Sequence, residues 1–293
     1  MKTGYLAPEG LENILLRELK GVERQVERLF IAKGEEQEVF WAQNIWRDVQ
    51  IIPFDSIGDA AKKLRALHGL WVHYPHTNLR RASLIQEKLP YISPKPLTFP
   101  APLPKAPLGS WTLLDANTLL ASPTCSSPLP HGEFRFNETK EPPSRAYLKL
   151  WEVLTRIECT PKPGELCLEV GASPGSWSWV LSSLGAHVIA VDRAPLERDF
   201  QNVKFLKMDA FQIHPDDYKE VKWVFSDVIC FPEKLLSWIR LWLERGSKAN
   251  FVCTIKFQGE EQYAILEEFK KIPGCRLMHL FHNKHEITFV LQR

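Results

Sequence analysis

The stretch Leu166 to Val180, LCLEVGASPGSWSWV, constrains this chain more than any other. An apolar run, Leu166, Cys167, Leu168 and Val170, breaks at Gly171-Ala172-Ser173-Pro174-Gly175, and a tryptophan-rich segment of helical character follows. The order predicts a strand, a tight glycine turn and a helix. Glycine has no Cβ and tolerates positive φ, so such a turn lets backbone come close to a ligand. The next apolar run, His187 to Val191, closes on Asp192. An acid at the end of the second strand of such a unit is placed to accept hydrogen bonds from a ribose diol. Turn and acid together point to a cofactor that carries a nucleoside.

Beyond Gly164 the pattern alternates. Strands are predicted at Leu166 to Val170, His187 to Val191, Val203 to Lys207, Lys222 to Ser226, Asn250 to Ile255, Arg276 to Phe281 and Glu286 to Leu291. Helices are predicted at Ser176 to Leu184, Pro232 to Glu244 and Glu260 to Lys271. Such alternation implies an α/β fold with a doubly wound, mostly parallel sheet. Only a short loop, Phe281 to His285, joins the last two strands, so they pair antiparallel. A Rossmann-like, seven-stranded sheet ending in this way fits a class I S-adenosylmethionine methyltransferase better than a dehydrogenase. A dinucleotide fingerprint needs three glycines to seat a pyrophosphate on a helix N-terminus. Here Gly171 and Gly175 are separated by Ala-Ser-Pro, and S-adenosylmethionine carries no phosphate. Asp209 follows the third strand and Asp227 ends the fourth, at the carboxyl edge where open α/β sheets bind ligands.

A chain of 293 residues has room for two domains. The division expected is an N-terminal α+β domain over 1–135 and a methyltransferase domain over 136–293, its first helix opening at Ser144 and running to about Ile157. In the first domain, strands are predicted at Gly4 to Leu6, Val26 to Ala32, Glu38 to Ala42 and Leu70 to Tyr74, with a hairpin from Trp111 to Ser122 around Asp115-Ala116-Asn117. Helices are predicted through Leu11, Ile14, Leu15 and Leu19, at Ile57 to Leu67 and at Leu79 to Leu89. Seven prolines between Pro90 and Pro107 make an extended connector, because proline fixes φ and removes amide donors.

Net charge is only +2, so a nucleic-acid surface must be local. Between Ala60 and Lys105 the basic residues, among them Lys62, Lys63, Arg65, Arg80 and Arg81, meet one acid, Glu87, with Trp71, His73, Tyr74 and His76 among them. Basic charge with interleaved aromatics suits phosphates and stacked bases. The same composition also suits a solvated helix face beside core aromatics.

The chain resembles the FtsJ-type ribosomal RNA 2′-O-methyltransferases, and within them the RlmM branch, which modifies a cytidine ribose of large-subunit ribosomal RNA. The resemblance is carried by Pro143-Ser144-Arg145-Ala146-Tyr147-Leu148-Lys149-Leu150, by Val170-Gly171-Ala172-Ser173-Pro174-Gly175-Ser176-Trp177, by Ser226-Asp227, by Thr254-Ile255-Lys256-Phe257 and by Leu280 to Thr288. A weaker similarity lies at Pro8-Glu9-Gly10-Leu11-Glu12. Glu169 stands where the family often has Asp, and Ser176 where a second glycine is common. The resemblance implies S-adenosyl-L-methionine as cofactor, held by Glu169, Gly171, Ala172, Ser173, Pro174, Gly175, Ser176, Trp177, Asp192, Asp209 and Asp227. It also implies a catalytic tetrad of Lys149, Asp227, Lys256 and Glu286. A ribose hydroxyl is a weak acid, so a lysine can take its proton only where neighbours or burial favour the neutral amine. Lys256 is the expected base, Asp227 its orienter, with Lys149 and Glu286 positioning the ribose. Ribosomal RNA or a pre-ribosomal particle is the implied partner, and Arg145 joins the candidate RNA contacts. The competing expectation is a non-catalytic assembly factor of the same fold.

The six cysteines show no CxxC pair, which favours free thiols. His279, His282 and His285 recur at spacing three, but on a strand and hairpin they do not converge, so no metal is expected. Trp177, Trp179, Trp238 and Trp242 are expected to pack in the core. No apolar run is long enough to span a bilayer, and Met1-Lys2-Thr3-Gly4 opens no signal peptide; a cytoplasmic protein is expected, with no membrane partner.

Overall fold

The computed structural model describes residues 1–92, 95–100 and 102–293. The chain forms two compact units, Met1–Leu97 with Pro102–Arg135, and Thr98–Ala101 with Phe136–Arg293.

The first unit holds two sheets. β1 (Lys2–Leu6), β2 (Val22–Val26), β3 (Leu29–Lys33), β4 (Asn44–Arg47) and β9 (Thr124–Cys125) form one, in the order β2-β3-β1-β4-β9. β5 (Gln50–Pro53), β6 (Trp71–His73), β7 (Gly109–Asp115) and β8 (Thr118–Ser122) form the other, in the order β5-β8-β7-β6. Helices α1 (Glu12–Glu18), α2 (Ile57–Leu67) and α3 (Leu79–Gln86) complete the unit. Ser56 caps α2 by accepting from the Asp59 amide, and Ala60, Ala61 and Leu64 face a core built with Trp71, Trp111 and Leu119.

Two expectations fail in this unit. The apolar run Val26 to Ala32 is not one strand: Glu27 turns with φ of 50°, and the run divides between β2 and β3. The expected strand Glu38 to Ala42 does not form, because the Phe40 and Trp41 amides are held by the Glu18 carboxylate at 3.0 and 3.1 Å. An amide so engaged has no bond left for a ladder. The described residues of the proline connector carry neither helix nor extended strand; Leu97 donates to the Arg135 carbonyl at 2.7 Å. Ser93, Pro94 and Ala101 of that connector lie outside the described residues.

The second unit contains α4 (Tyr147–Ile157), β10 (Leu166–Val170), α5 (Ser176–Ser183), β11 (His187–Asp192), β12 (Val203–Lys207), β13 (Trp223–Ser226), α6 (Pro232–Glu244), β14 (Asn250–Lys256), α7 (Leu266–Lys270), β15 (Cys275–Met278) and β16 (Glu286–Leu291). Its sheet runs β12-β11-β10-β13-β14-β16-β15, parallel through β14 and antiparallel at β16 and β15. This is the class I methyltransferase architecture expected. β16 is buried at every position, as befits a strand with neighbours on both sides. Trp177, Trp238 and Trp242 are buried, and the last two meet edge to face at 5.6 Å, so these indoles pack in the core; Trp179 is half-buried beside Trp151. Two helix boundaries shift. The segment expected as helix from Glu260 to Lys271 is a 3-10 turn over Glu260–Ile265 followed by α7. Helix α4 begins at Tyr147 rather than Ser144, whose hydroxyl is used elsewhere.

Candidate active site

The glycine turn sits at the carboxyl end of β10. Gly171 has φ of +75°, and a Cβ there would stand 2.6 Å from the backbone of Val228. The turn and the β13 exit therefore touch backbone to backbone, a packing only glycine allows. Ser173 donates its amide to Asp192 Oδ2 at 3.0 Å, and the Ala194 amide donates to Asp192 Oδ1 at 2.9 Å. These bonds fix the carboxylate at the end of β11. Asp209 accepts from the Phe211 amide at 2.9 Å, so it caps a short 3-10 turn as well as lining the cleft.

Gly171, Ser173, Asp192, Asp209 and Asp227 all line one open cleft. Its donor set suits S-adenosylmethionine: acids for a ribose diol and amino group, backbone at a glycine that a Cβ would block, and no phosphate cradle. The rest of the expected cofactor set lies away from the cleft wall. Glu169 is buried beneath the turn, 2.5 Å from the Ser178 hydroxyl. Burial pushes its carboxyl up to about 8; the Ser178 bond lowers it, and Asp227 and Asp192 add repulsion. β-strand alternation is the reason: Glu169 points to the face covered by α5, not to the strand end. Gly175 and Ser176 open α5, and Ala172 and Trp177 are buried. Ser176 Oγ receives the Ser144 amide at 2.9 Å, and Trp177 Nε1 donates to the Ala146 carbonyl at 2.9 Å. These residues and Pro174, on the exposed side of the turn, are not among the cleft-lining side chains; Ser176 and Trp177 tie α4 to the turn.

That tie places Lys149, one turn into α4, against the sheet. Lys149 Nζ lies 2.5 Å from Glu286 Oε1 and 3.5 Å from Asp227 Oδ1. Lys256 Nζ lies 3.1 Å from the same Asp227 oxygen and donates to the Asp227 carbonyl at 2.5 Å. Lys256 and Glu286 are direct partners across the antiparallel β14–β16 ladder. Four side chains from four elements thus converge, and only Asp227 and Lys256 reach the cleft wall. Burial pulls the Lys149 ammonium down, but Asp227 and Glu286 together outweigh it and hold Lys149 above its ordinary range. Lys149 is a fixed cation.

Sequence reasoning missed a supporting carboxylate. Glu152, fully buried on α4, accepts from the Phe281 and His282 amides at 2.8 and 3.0 Å and from Arg156 Nε at 2.9 Å. It anchors the loop that delivers Glu286. The i,i+4 pair Glu152 and Arg156 was visible in the sequence, but its loop partners lie 129 and 130 residues away. Also missed were Phe211, Ile229, Phe231 and Lys234 in the cleft wall.

The candidate RNA contacts are unevenly placed. Lys62, Arg65 and Arg80 are exposed, although Arg65 also donates to the Lys88 carbonyl at 2.6 Å. Lys63 pairs with Asp59 at 2.8 Å, an acid just outside the stretch counted as poor in acids. Arg81 bonds Asn117 and lies over the Phe54 ring, and Arg145 pairs with Glu138. Of the interleaved aromatics, Trp71 and Tyr74 are buried in the core, His73 packs on Trp111 at 4.7 Å, and His76 bonds Glu27. His279 bonds the Lys284 carbonyl, His285 meets Tyr263, and His282 stacks near Phe136. All six cysteines are free thiols. Among the described residues no helix is long and apolar enough to cross a membrane.

Residues 142–234 match the family described as FtsJ-like methyltransferase. The chain is 29% identical over 302 residues to the ribosomal RNA large subunit methyltransferase M of Xanthomonas oryzae pv. oryzae, covering 96% of this chain and 80% of the relative. It is 31% identical over 186 residues to the protein of the same name from Stenotrophomonas maltophilia, covering 58% and 52% respectively. Among solved structures, Aeropyrum pernix fibrillarin with bound S-adenosyl-L-methionine matches with a TM-score of 0.38 and 18% identity, over 62% of this chain and 81% of that one.

Proposed function

We propose, from the premise that this chain is an S-adenosylmethionine-dependent RNA methyltransferase whose second unit is FtsJ-like, that it methylates a ribose 2′-hydroxyl of large-subunit ribosomal RNA. The carrying observation is that three ion pairs of 2.5 to 3.5 Å, Glu286–Lys149, Lys149–Asp227 and Asp227–Lys256, link the four side chains at the end of the sheet where β13 and β14 finish. An RNA-binding assembly factor has no use for two lysines and two carboxylates shared in one half-buried cluster.

The cofactor, when bound, supplies an electrophilic methyl group on a sulfonium. Asp192 and Asp209 would hold its nucleoside end, and the glycine turn its amino-acid end. Lys256, at the cleft wall, is placed to accept the proton that the ribose hydroxyl gives up. Asp227 orients Lys256 through its side chain and its carbonyl. Lys149, held by Glu286, keeps a positive charge beside Asp227 and so leaves the base role to Lys256. The substrate is ribosomal RNA, free or in a pre-ribosomal particle, in the cytoplasm. Lys256→Ala should lower kcat by about 10²–10⁴-fold, the range for losing a general base, while cofactor affinity by calorimetry persists. Substantial remaining transfer to unmethylated large-subunit ribosomal RNA would refute the assignment.

A further inference from the structure

Two large apolar side chains stand exposed beside the base. Ile229 is 77% exposed and Phe231 is 55% exposed, both on the five-residue path from Asp227 into α6. Neither contributes to the core, and both line the cleft that Lys256 lines. Phe231 is not a loose loop residue. It is the N-cap of α6, in an extended conformation before Pro232, and its carbonyl accepts the Lys234 and Leu235 amides at 3.0 and 3.3 Å. The ring is thus held out to solvent by a fixed backbone. An aromatic face presented rigidly to water is the element single-stranded nucleic acid binders use, because every base has a π-face to stack on it. An enzyme acting on a ribose inside structured RNA must also draw the nucleotide out of its stack and offer its base a substitute surface.

We infer that Ile229 and Phe231 form the acceptor subsite, where the base of the target ribonucleotide stacks on Phe231 against Ile229 while its 2′-hydroxyl reaches Lys256. This rests on the RNA-methyltransferase reading above. The stack adds binding in the ground state and at the transition state alike, so its loss appears mainly in KM for RNA. Asp192 and Asp209, which line the same cleft, are left to the cofactor.

The test uses the full chain, in-vitro transcribed large-subunit ribosomal RNA and S-adenosylmethionine. Phe231→Ala should raise KM for the RNA by about 5- to 150-fold, the range for one lost base stack, with a smaller change in kcat and no change in cofactor affinity by calorimetry. Phe231→Trp should restore KM, whereas Phe231→Leu, which keeps bulk but no π-face, should not. An unchanged KM in Phe231→Ala, equal rescue by Leu and Trp, or a matching loss of cofactor affinity would each overturn the subsite. If the unmutated chain transfers no methyl to RNA at all, the function reading itself fails, an outcome distinct from these.

Discussion

Glu169 offers the sharpest test of how the turn is supported. Its carboxyl is fully buried and titrates at about 8 instead of 4.5, chiefly because burial disfavours the charged form. Between those values the folded chain holds a proton that the unfolded chain releases, so stability falls as pH rises through the window. The slope approaches about 1.4 kcal/mol per pH unit, and by pH 7 the accumulated loss is about 3 kcal/mol. Glu169→Gln removes the titration and keeps an oxygen to accept from Ser178. Urea denaturation of both proteins from pH 4.5 to 8 should therefore show the variant gaining on the wild type, by about 3 kcal/mol between pH 4.5 and pH 7. A difference that does not change with pH would refute the buried, protonated carboxyl. Cofactor affinity should be unchanged at pH 7, because the side chain is off the cleft wall.

Other outcomes follow from the same geometry. Asp192→Asn should weaken S-adenosylmethionine binding by about 10- to 150-fold in calorimetry, the range for a hydrogen bond to a charged group, with the fold intact by circular dichroism. His73 and His279 are both lowered to about 4, mainly by burial, so the unfolded chain binds more protons between pH 4 and 6.5 and stability falls as pH drops through that window. His73→Gln and His279→Gln should each flatten the acid limb of a stability-against-pH curve, and an unaltered limb would count against buried neutral imidazoles.

What could be read in the residues depended on how local the physics was. The strand, turn and helix around Gly171 are set by neighbours in sequence, whereas the four tetrad residues were legible only through the family resemblance. The Phe40 and Trp41 amides were lost to Glu18, a tertiary partner more than twenty residues away that no periodicity announces. The turn inside Val26 to Ala32 carries no glycine or proline; Glu27 adopts a left-handed conformation and hides the hairpin. Trp71 and Tyr74 looked like stacking partners because composition does not tell which side of a strand or loop faces the core. Phe231 is the converse case: by type it reads as a core residue, and only the fold shows its ring turned outward.

The position of Glu286 also bears on when the four-residue cluster is completed. β16 is the last strand of the sheet in chain order, yet it is inserted between β14 and β15. As synthesis proceeds from the N-terminus, Lys149, Asp227 and Lys256 emerge before the partner that holds Lys149 at 2.5 Å. Until the final strand pairs, Lys149 has only the more distant Asp227 oxygen and is not fixed. The closest contact of the cluster, Lys149 with Glu286, therefore forms only when the last strand in chain order inserts into the sheet.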